Sequence, residues 1–162
     1  MPENSFYLRD HHPEDVPQIL SVIKTAFAEQ RGLIDPPSSA ERKTVEIVEA
    51  ELRSAKALVV ESGGEIVACV FYQPKGDSVY IDRLAVMPRF RRGGIGKTLM
   101  EEVERRATET GFEKLSLSVR IELKRQQEYY GKMGFQISSY ESHRGFDRST
   151  FVIMEKALTK WI

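Results

Sequence analysis

The chain has 162 residues, 41% of them hydrophobic and 30% charged, a balance that fits a soluble globular protein and excludes disorder, collagen-like sequence and repeat solenoids. Its 24 basic and 24 acidic side chains cancel, which argues against nucleic acid or an anionic membrane as a partner. A lone cysteine, Cys69, excludes an internal disulfide framework, and the length predicts one domain over residues 1–162.

The opening Met1-Pro2-Glu3-Asn4-Ser5 has none of the basic, apolar or small-residue stretches of a signal peptide. The longest apolar run, residues 66–72, is too short to span a bilayer, so a cytoplasmic location is expected. Residues 5–9 read as a strand. Acidic residues at 10, 14 and 15 then open a helix over 13–29, with Ile19, Leu20, Ile23 and Phe27 as its apolar stripe. A loop at 32–39, marked by Gly32 and the Pro36-Pro37 pair, leads to a second helix over 40–53. Strands at 57–61, 65–73 and 78–86 follow, separated by Ser62-Gly63-Gly64 and Pro74-Lys75-Gly76-Asp77, so an antiparallel meander is expected. Ile95, Leu99, Val103 and Ala107 recur every fourth position until Thr110-Gly111 stops a third helix. A strand at 114–119, a polar helix at 123–133, and strands at 135–140 and 150–158 around a loop at 141–148 complete the chain. This order predicts an α+β fold, a mixed central sheet of about seven strands flanked by about four helices.

The charge is unevenly spread: residues 1–81 hold 8 basic and 13 acidic side chains, residues 82–162 hold 16 and 11. The basic excess concentrates between residues 83 and 97, where Arg83, Arg89, Arg91, Arg92 and Lys97 occur without an Asp or Glu. Within that stretch a buried strand ending Leu84-Ala85-Val86 passes through Pro88 into Arg91-Arg92-Gly93-Gly94-Ile95-Gly96-Lys97-Thr98 and a helix. Such a strand–loop–helix turn points unpaired backbone N–H groups at one spot, and the helix dipole adds roughly half a positive charge there. Phosphate is the expected guest. A nucleotide-triphosphate loop, G-x-x-x-x-G-K-[ST], requires glycine where Arg91 stands and an apolar strand ending in a magnesium-binding Asp, whereas Leu115-Ser116-Leu117-Ser118-Val119 runs into Arg120.

The same residues fit R-x-x-G-x-G at Arg91, Gly94 and Gly96, and here the chain resembles the GNAT superfamily of acetyl-CoA-dependent N-acetyltransferases. Tyr129-Tyr130-Gly131-Lys132-Met133-Gly134-Phe135 is similar to the family's late aromatic and Gly-Phe segment, and Tyr7-Leu8-Arg9 with Glu14-Asp15-Val16 to its opening. Leu123, where the family often has Asn, and Gln126, where a small residue is common, depart from its pattern. The resemblance implies a single GNAT-like acyl-CoA N-acyltransferase domain that uses acetyl-CoA as co-substrate and no metal. It implies that Leu84, Ala85 and Val86 run beside the pantetheine arm, that Arg91, Arg92, Gly93, Gly94, Ile95, Gly96, Lys97 and Thr98 cradle the pyrophosphate, and that the strands at 78–86 and 114–119 splay to admit the thioester.

The implied reaction is acetyl transfer to a primary amine of a small molecule or peptide in a ternary complex, with an idle acyl-CoA-binding sensor as the alternative. A base must take the amine proton; Asp82 is the carboxylate best placed in sequence, and pairing with a neighbouring cation is its other reading. Tyr130 is either a core aromatic or the phenol that protonates the departing thiolate. Cys69, in an apolar strand with no His nearby, reads as an inert thiol, and His11, His12 and His143 are too scattered for a metal site. Acceptor cues conflict: Asp35, Glu41, Glu46 and Glu49 would suit a cation, His143 and Arg144 an acid. A homodimer is left open.

Overall fold

The computed structural model describes residues 5–159. Turn chemistry organises its middle: Gly63 (φ +59°) and Gly64 (φ +83°) form a two-residue link that needs positive φ at both positions, and Gly76 (φ +63°) reverses the chain again. They join strands β2 (Lys56–Ser62), β3 (Glu65–Lys75) and β4 (Ser78–Val86). Before them come β1 (Phe6–Asp10), α1 (Val16–Phe27) and α2 (Val45–Glu51); after them α3 (Ile95–Glu109), β5 (Lys114–Arg120), α4 (Lys124–Lys132), β6 (Gln136–Glu141) and β7 (Phe151–Ala157). The seven strands form one mixed sheet in the order β1-β2-β3-β4-β5-β7-β6, as the element pattern predicts. Parallel pairing of β4 with β5 runs from Ser78–Lys114 to Tyr80–Ser116, while β5 and β7 pair antiparallel from Lys114–Ala157 to Arg120–Phe151.

The chain divides into two compact units. One comprises Met1–Glu29, Ser39–Gln73 and Ile81–Val103. Its core gathers Ile19 and Ile23 of α1, Val48 of α2, Val59 of β2, and Cys69 and Phe71 of β3. β3 is buried on both faces from Ile66 to Tyr72, which is why its sequence is a continuous apolar run. An ionic knot lies at the start of this unit: Arg9 reaches the buried Asp15 at 2.7 Å and Glu61 at 2.9 Å, and the His12 N–H donates to Asp15 at 2.6 Å.

The helix expected over 40–53 is interrupted. A 3-10 turn at Ser39–Arg42 precedes α2, and Thr44, in extended conformation, accepts the Ile47 N–H on its hydroxyl at 3.2 Å. A hydroxyl that caps a helix start cannot also sit inside one, so the break falls there.

The other unit comprises Gln30–Ser38, Pro74–Tyr80 and Glu104–Ile162. Side chains, rather than a backbone ladder, hold its loop at 35–37. Arg120 donates to the carbonyls of Pro36 (2.6 Å) and Pro37 (3.3 Å), Arg148 pairs with the Asp35 carboxylate at 3.1 Å, and Glu122 accepts the Asp35 N–H at 3.2 Å. At the sheet edge the β6–β7 register shifts between Ile137 and Ser139, so Ser138 bulges, its hydroxyl donating to the Ile153 carbonyl at 3.3 Å. Among the described residues no helix is long and apolar enough to cross a membrane.

Candidate active site

In the first unit β4 ends at Val86, with Ala85 buried and Leu84 and Val86 half-buried. The chain is pinned by the Met87 N–H on the Val67 carbonyl (2.8 Å), then makes a 3-10 turn over Pro88–Phe90 that is closed by the Arg91 N–H on the Pro88 carbonyl (3.2 Å). Two left-handed residues, Arg92 (φ +73°) and Gly94 (φ +76°), bend the backbone before α3. For an arginine that conformation costs about 1 kcal/mol or more. The Thr98 N–H reaches the Gly94 carbonyl at 3.0 Å, and the Thr98 hydroxyl donates to the same oxygen at 2.9 Å. The N–H groups of residues 92–97 are engaged by no other backbone carbonyl of the described residues. They open onto the positive end of a 15-residue helix. A Cβ added to Gly94 would meet nothing within 4 Å, so its φ is what requires glycine, and the space beside it is open.

The expected cations divide by role. Arg91 is an anchor: it pairs with Glu29, and its Nε and Nη2 donate to the Val86 (3.3 Å) and Ala26 (3.5 Å) carbonyls. Arg89 pairs with Glu65 at 3.1 Å, and Lys97 stands 3.9 Å from Glu101. Arg92 is exposed and has no ion-pair partner among the described residues. The fit to a pyrophosphate therefore rests on main-chain donors from 92 to 97, with Arg92 and Lys97 as the cations beside them.

Two residues before Leu84, the Asp82 carboxylate accepts the Arg83 backbone N–H (2.9 Å) and the Arg83 Nη1 (3.1 Å), both on Oδ1. Arg83 itself is left-handed (φ +53°) in the middle of a strand. Its Nη2 donates to the Ser39 hydroxyl at 3.0 Å and lies 3.8 Å from Glu51. Glu51 in turn receives Lys43 Nζ on both oxygens, at 2.6 and 2.7 Å, and Lys43 is only 4% exposed. The Arg83 Nε is buried without a partner among the described residues. A buried donor left unpaired costs about 1–3 kcal/mol. The ion pairing anticipated for Asp82 is thus present, and nothing in the sequence marks the network behind it. Cys69 lies under this network: burial pushes its thiol up to about 12, and Sγ donates to the Arg83 carbonyl at 3.7 Å.

In the second unit Tyr130 is half-buried on α4, packed edge-to-face against Tyr129 (5.2 Å between centroids) and Phe135 (5.8 Å). Its carbonyl receives the Met133 and Phe135 N–H groups, which fixes the Gly134 turn. Desolvation, then the neighbouring Tyr129, raises the Tyr130 hydroxyl well above the usual phenol range, so it keeps its proton. His143 Nδ1 meets the Thr150 hydroxyl at 2.5 Å, and desolvation followed by the Arg120 charge lowers its pKa. His11 Nδ1 lies 3.4 Å from the Ala57 carbonyl, and His12 is exposed. Of the acidic acceptor cues, Asp35 is spent on Arg148, while Glu46 and Glu49 are exposed.

The acetyltransferase (GNAT) family model matches residues 21–135. Amino-acid acetyltransferases of Pseudomonas aeruginosa and Azotobacter vinelandii are each 32% identical over 136 residues, covering 83% of this chain and 28% of theirs. The chain thus spans less than a third of the length of these curated relatives. Among solved structures, the ribosomal-protein-S18-alanine N-acetyltransferase of Escherichia coli superposes with a TM-score of 0.75 at 18% identity, over 98% of this chain and 97% of that one. The PaiA N-acetyltransferase of Thermoplasma acidophilum, in complex with coenzyme A, gives 0.74 at 21% identity, over 95% and 99%. These two likenesses show the fold.

Proposed function

Since the chain belongs to the acetyltransferase (GNAT) family, we propose that it transfers the acetyl group of acetyl-CoA to a primary amine of a small molecule or peptide, by direct attack in a ternary complex. The observation that carries this reading is the run of unengaged N–H groups at 92–97 on the N-terminus of α3, which suits a pyrophosphate. Residues 92–97 hold that group, and Leu84, Ala85 and Val86 lie beside the pantetheine arm.

The remaining chemistry is a proton inventory. An alkyl amine with a pKa of about 10.4 is neutral in only about one part in 2,500 at pH 7, a gap of roughly 4.6 kcal/mol. Asp82 takes that proton, supported by its partly exposed side chain and by an Oδ2 that no described residue engages. Tyr130 gives its proton to the thiolate; the reading is supported by the match of Tyr129-Tyr130 and Gly134-Phe135 to the family's late segment, and the phenol is protonated at neutral pH. The names of the curated relatives put amino acids first among acceptors. A free-thiol release assay with acetyl-CoA against amino acids, polyamines, other amines and peptides tests the reading. Release that depends on an amine supports it; acetyl-CoA binding without turnover on any amine would leave an acyl-CoA sensor.

A further inference from the structure

We propose that Arg83 is the positioning residue for amine deprotonation: it holds Asp82 by Oδ1 alone and leaves Oδ2 to receive the proton. The inference rests on Asp82 being the base. One oxygen, Oδ1, takes both hydrogen bonds that Arg83 offers, from its backbone N–H at 2.9 Å and its Nη1 at 3.1 Å. The carboxylate is therefore fixed by the backbone and side chain of a single residue, which limits its rotation. Oδ2 has no partner among the described residues, and the Asp82 side chain is 33% exposed, so a substrate ammonium can reach it.

The guanidinium is itself braced from behind. Ser39 and Glu51 hold Nη2, and Lys43 clamps both oxygens of Glu51. This bracing involves two unfavourable features at one residue: a left-handed backbone on a non-glycine side chain and a buried Nε with no acceptor. A stability device would shed both. Strain and unsatisfied polar groups persist where the surroundings enforce a geometry that the chemistry uses, and the atoms enforced here end on Asp82. In the step itself an N–H bond of the substrate ammonium breaks, its electron pair stays on nitrogen, and an O–H bond forms at Oδ2. The neutral amine then attacks the acetyl carbon and a C–N bond forms. The C–S bond breaks with its electron pair on sulfur, and the nitrogen's surplus proton balances the one the thiolate takes up. The products are the amide, the free thiol and a protonated Asp82 that returns its proton to solvent.

A double-mutant cycle tests this with glycinamide, a minimal primary amine, as acceptor at saturating acetyl-CoA. Arg83→Asn removes the guanidinium while keeping a residue that tolerates positive φ. Asp82→Asn should lower kcat by roughly 10²–10³-fold and Arg83→Asn by roughly 10-fold or more, with acetyl-CoA affinity within about twofold of wild type in both. The double variant should be no slower than Asp82→Asn alone, and added guanidinium ion should restore rate to Arg83→Asn but not to the double variant. Losses that multiply, or no rescue, would make Arg83 a packing residue while leaving Asp82 as base. An Asp82→Asn variant within about twofold of wild type would remove the base and this proposal together. If Arg83→Asn melts below the assay temperature, Glu51→Gln replaces it in the cycle; its rate loss must likewise vanish in the Asp82→Asn background, and a loss that persists overturns the proposal.

Discussion

The role proposed for Tyr130 separates two contributions that a single residue can make, a ring that packs and a hydroxyl that would protonate the thiolate. Because the ring lies against Tyr129 and Phe135 whatever its substituent, Tyr130→Phe should keep acetyl-CoA affinity and melting temperature while kcat falls by roughly 10²-fold or somewhat less. The loss should shrink as pH rises toward a thiol pKa near 8.5, where the thiolate leaves unaided. A kcat within about twofold of wild type with lost stability would instead assign Tyr130 to packing. Cys69, buried with its thiol pushed up to about 12, should not react with an aromatic disulfide reagent until the chain unfolds. Stoichiometric colour from native protein would contradict that burial. At this scale the family resemblance and chain position name Tyr130 and Asp82 as candidates, but the sequence is silent on Arg83: left-handed backbone is written in Gly, Asn or Asp, and an arginine held there by tertiary contacts leaves no local mark.

An element-level consequence follows for the loop that opens α3. Gly94→Glu forces a side chain into left-handed backbone and sets a negative charge against the proposed pyrophosphate, whereas Lys97→Ala removes one exposed cation already near Glu101. Calorimetric titration should therefore show acetyl-CoA binding weakened much more by Gly94→Glu than by Lys97→Ala; equal, small effects would sink the phosphate cradle. The strand–loop–helix turn was legible because glycine spacing, basic charge and a helix start coincide within a few residues. The division of labour among its cations was not, since Arg91 is spent on Glu29 and Ala26, far away in sequence. Turn-bounded strands such as β4 fall where their punctuation puts them. The helix expected over 40–53 fails at Thr44 because a threonine ahead of an apolar repeat reads equally as interior or cap, and only the Ile47 N–H on its hydroxyl decides.

For the molecule as a whole, stability should carry the signature of the Arg9–Asp15–Glu61 knot. The Arg9 guanidinium holds the Asp15 carboxyl below its usual range, so the pair stabilises the fold above the unfolded-state pKa of about 3.9, and that contribution fades as pH falls through the lower folded-state value. Arg9→Met leaves a buried carboxylate unpaired and should cost roughly 3 kcal/mol in urea unfolding at pH 7, with the gap from wild type closing below about pH 4. A gap that stays constant down to pH 2 would deny the knot this role. The mixed sheet and its family were readable from element order and motif together, because hydrophobic periodicity survives whatever the tertiary details. What holds the loop at 35–37 was not, for Arg120, Glu122 and Arg148 act over more than eighty residues of chain separation. The bulge at Ser138 bears on the protein's behaviour in concentrated solution. Ile137 and Tyr140 are both exposed on that outermost strand, an invitation to stack copies edge to edge. A strand whose spacing slips by one residue offers an incoming chain a less regular template, a feature that works against open-ended pairing along this rim.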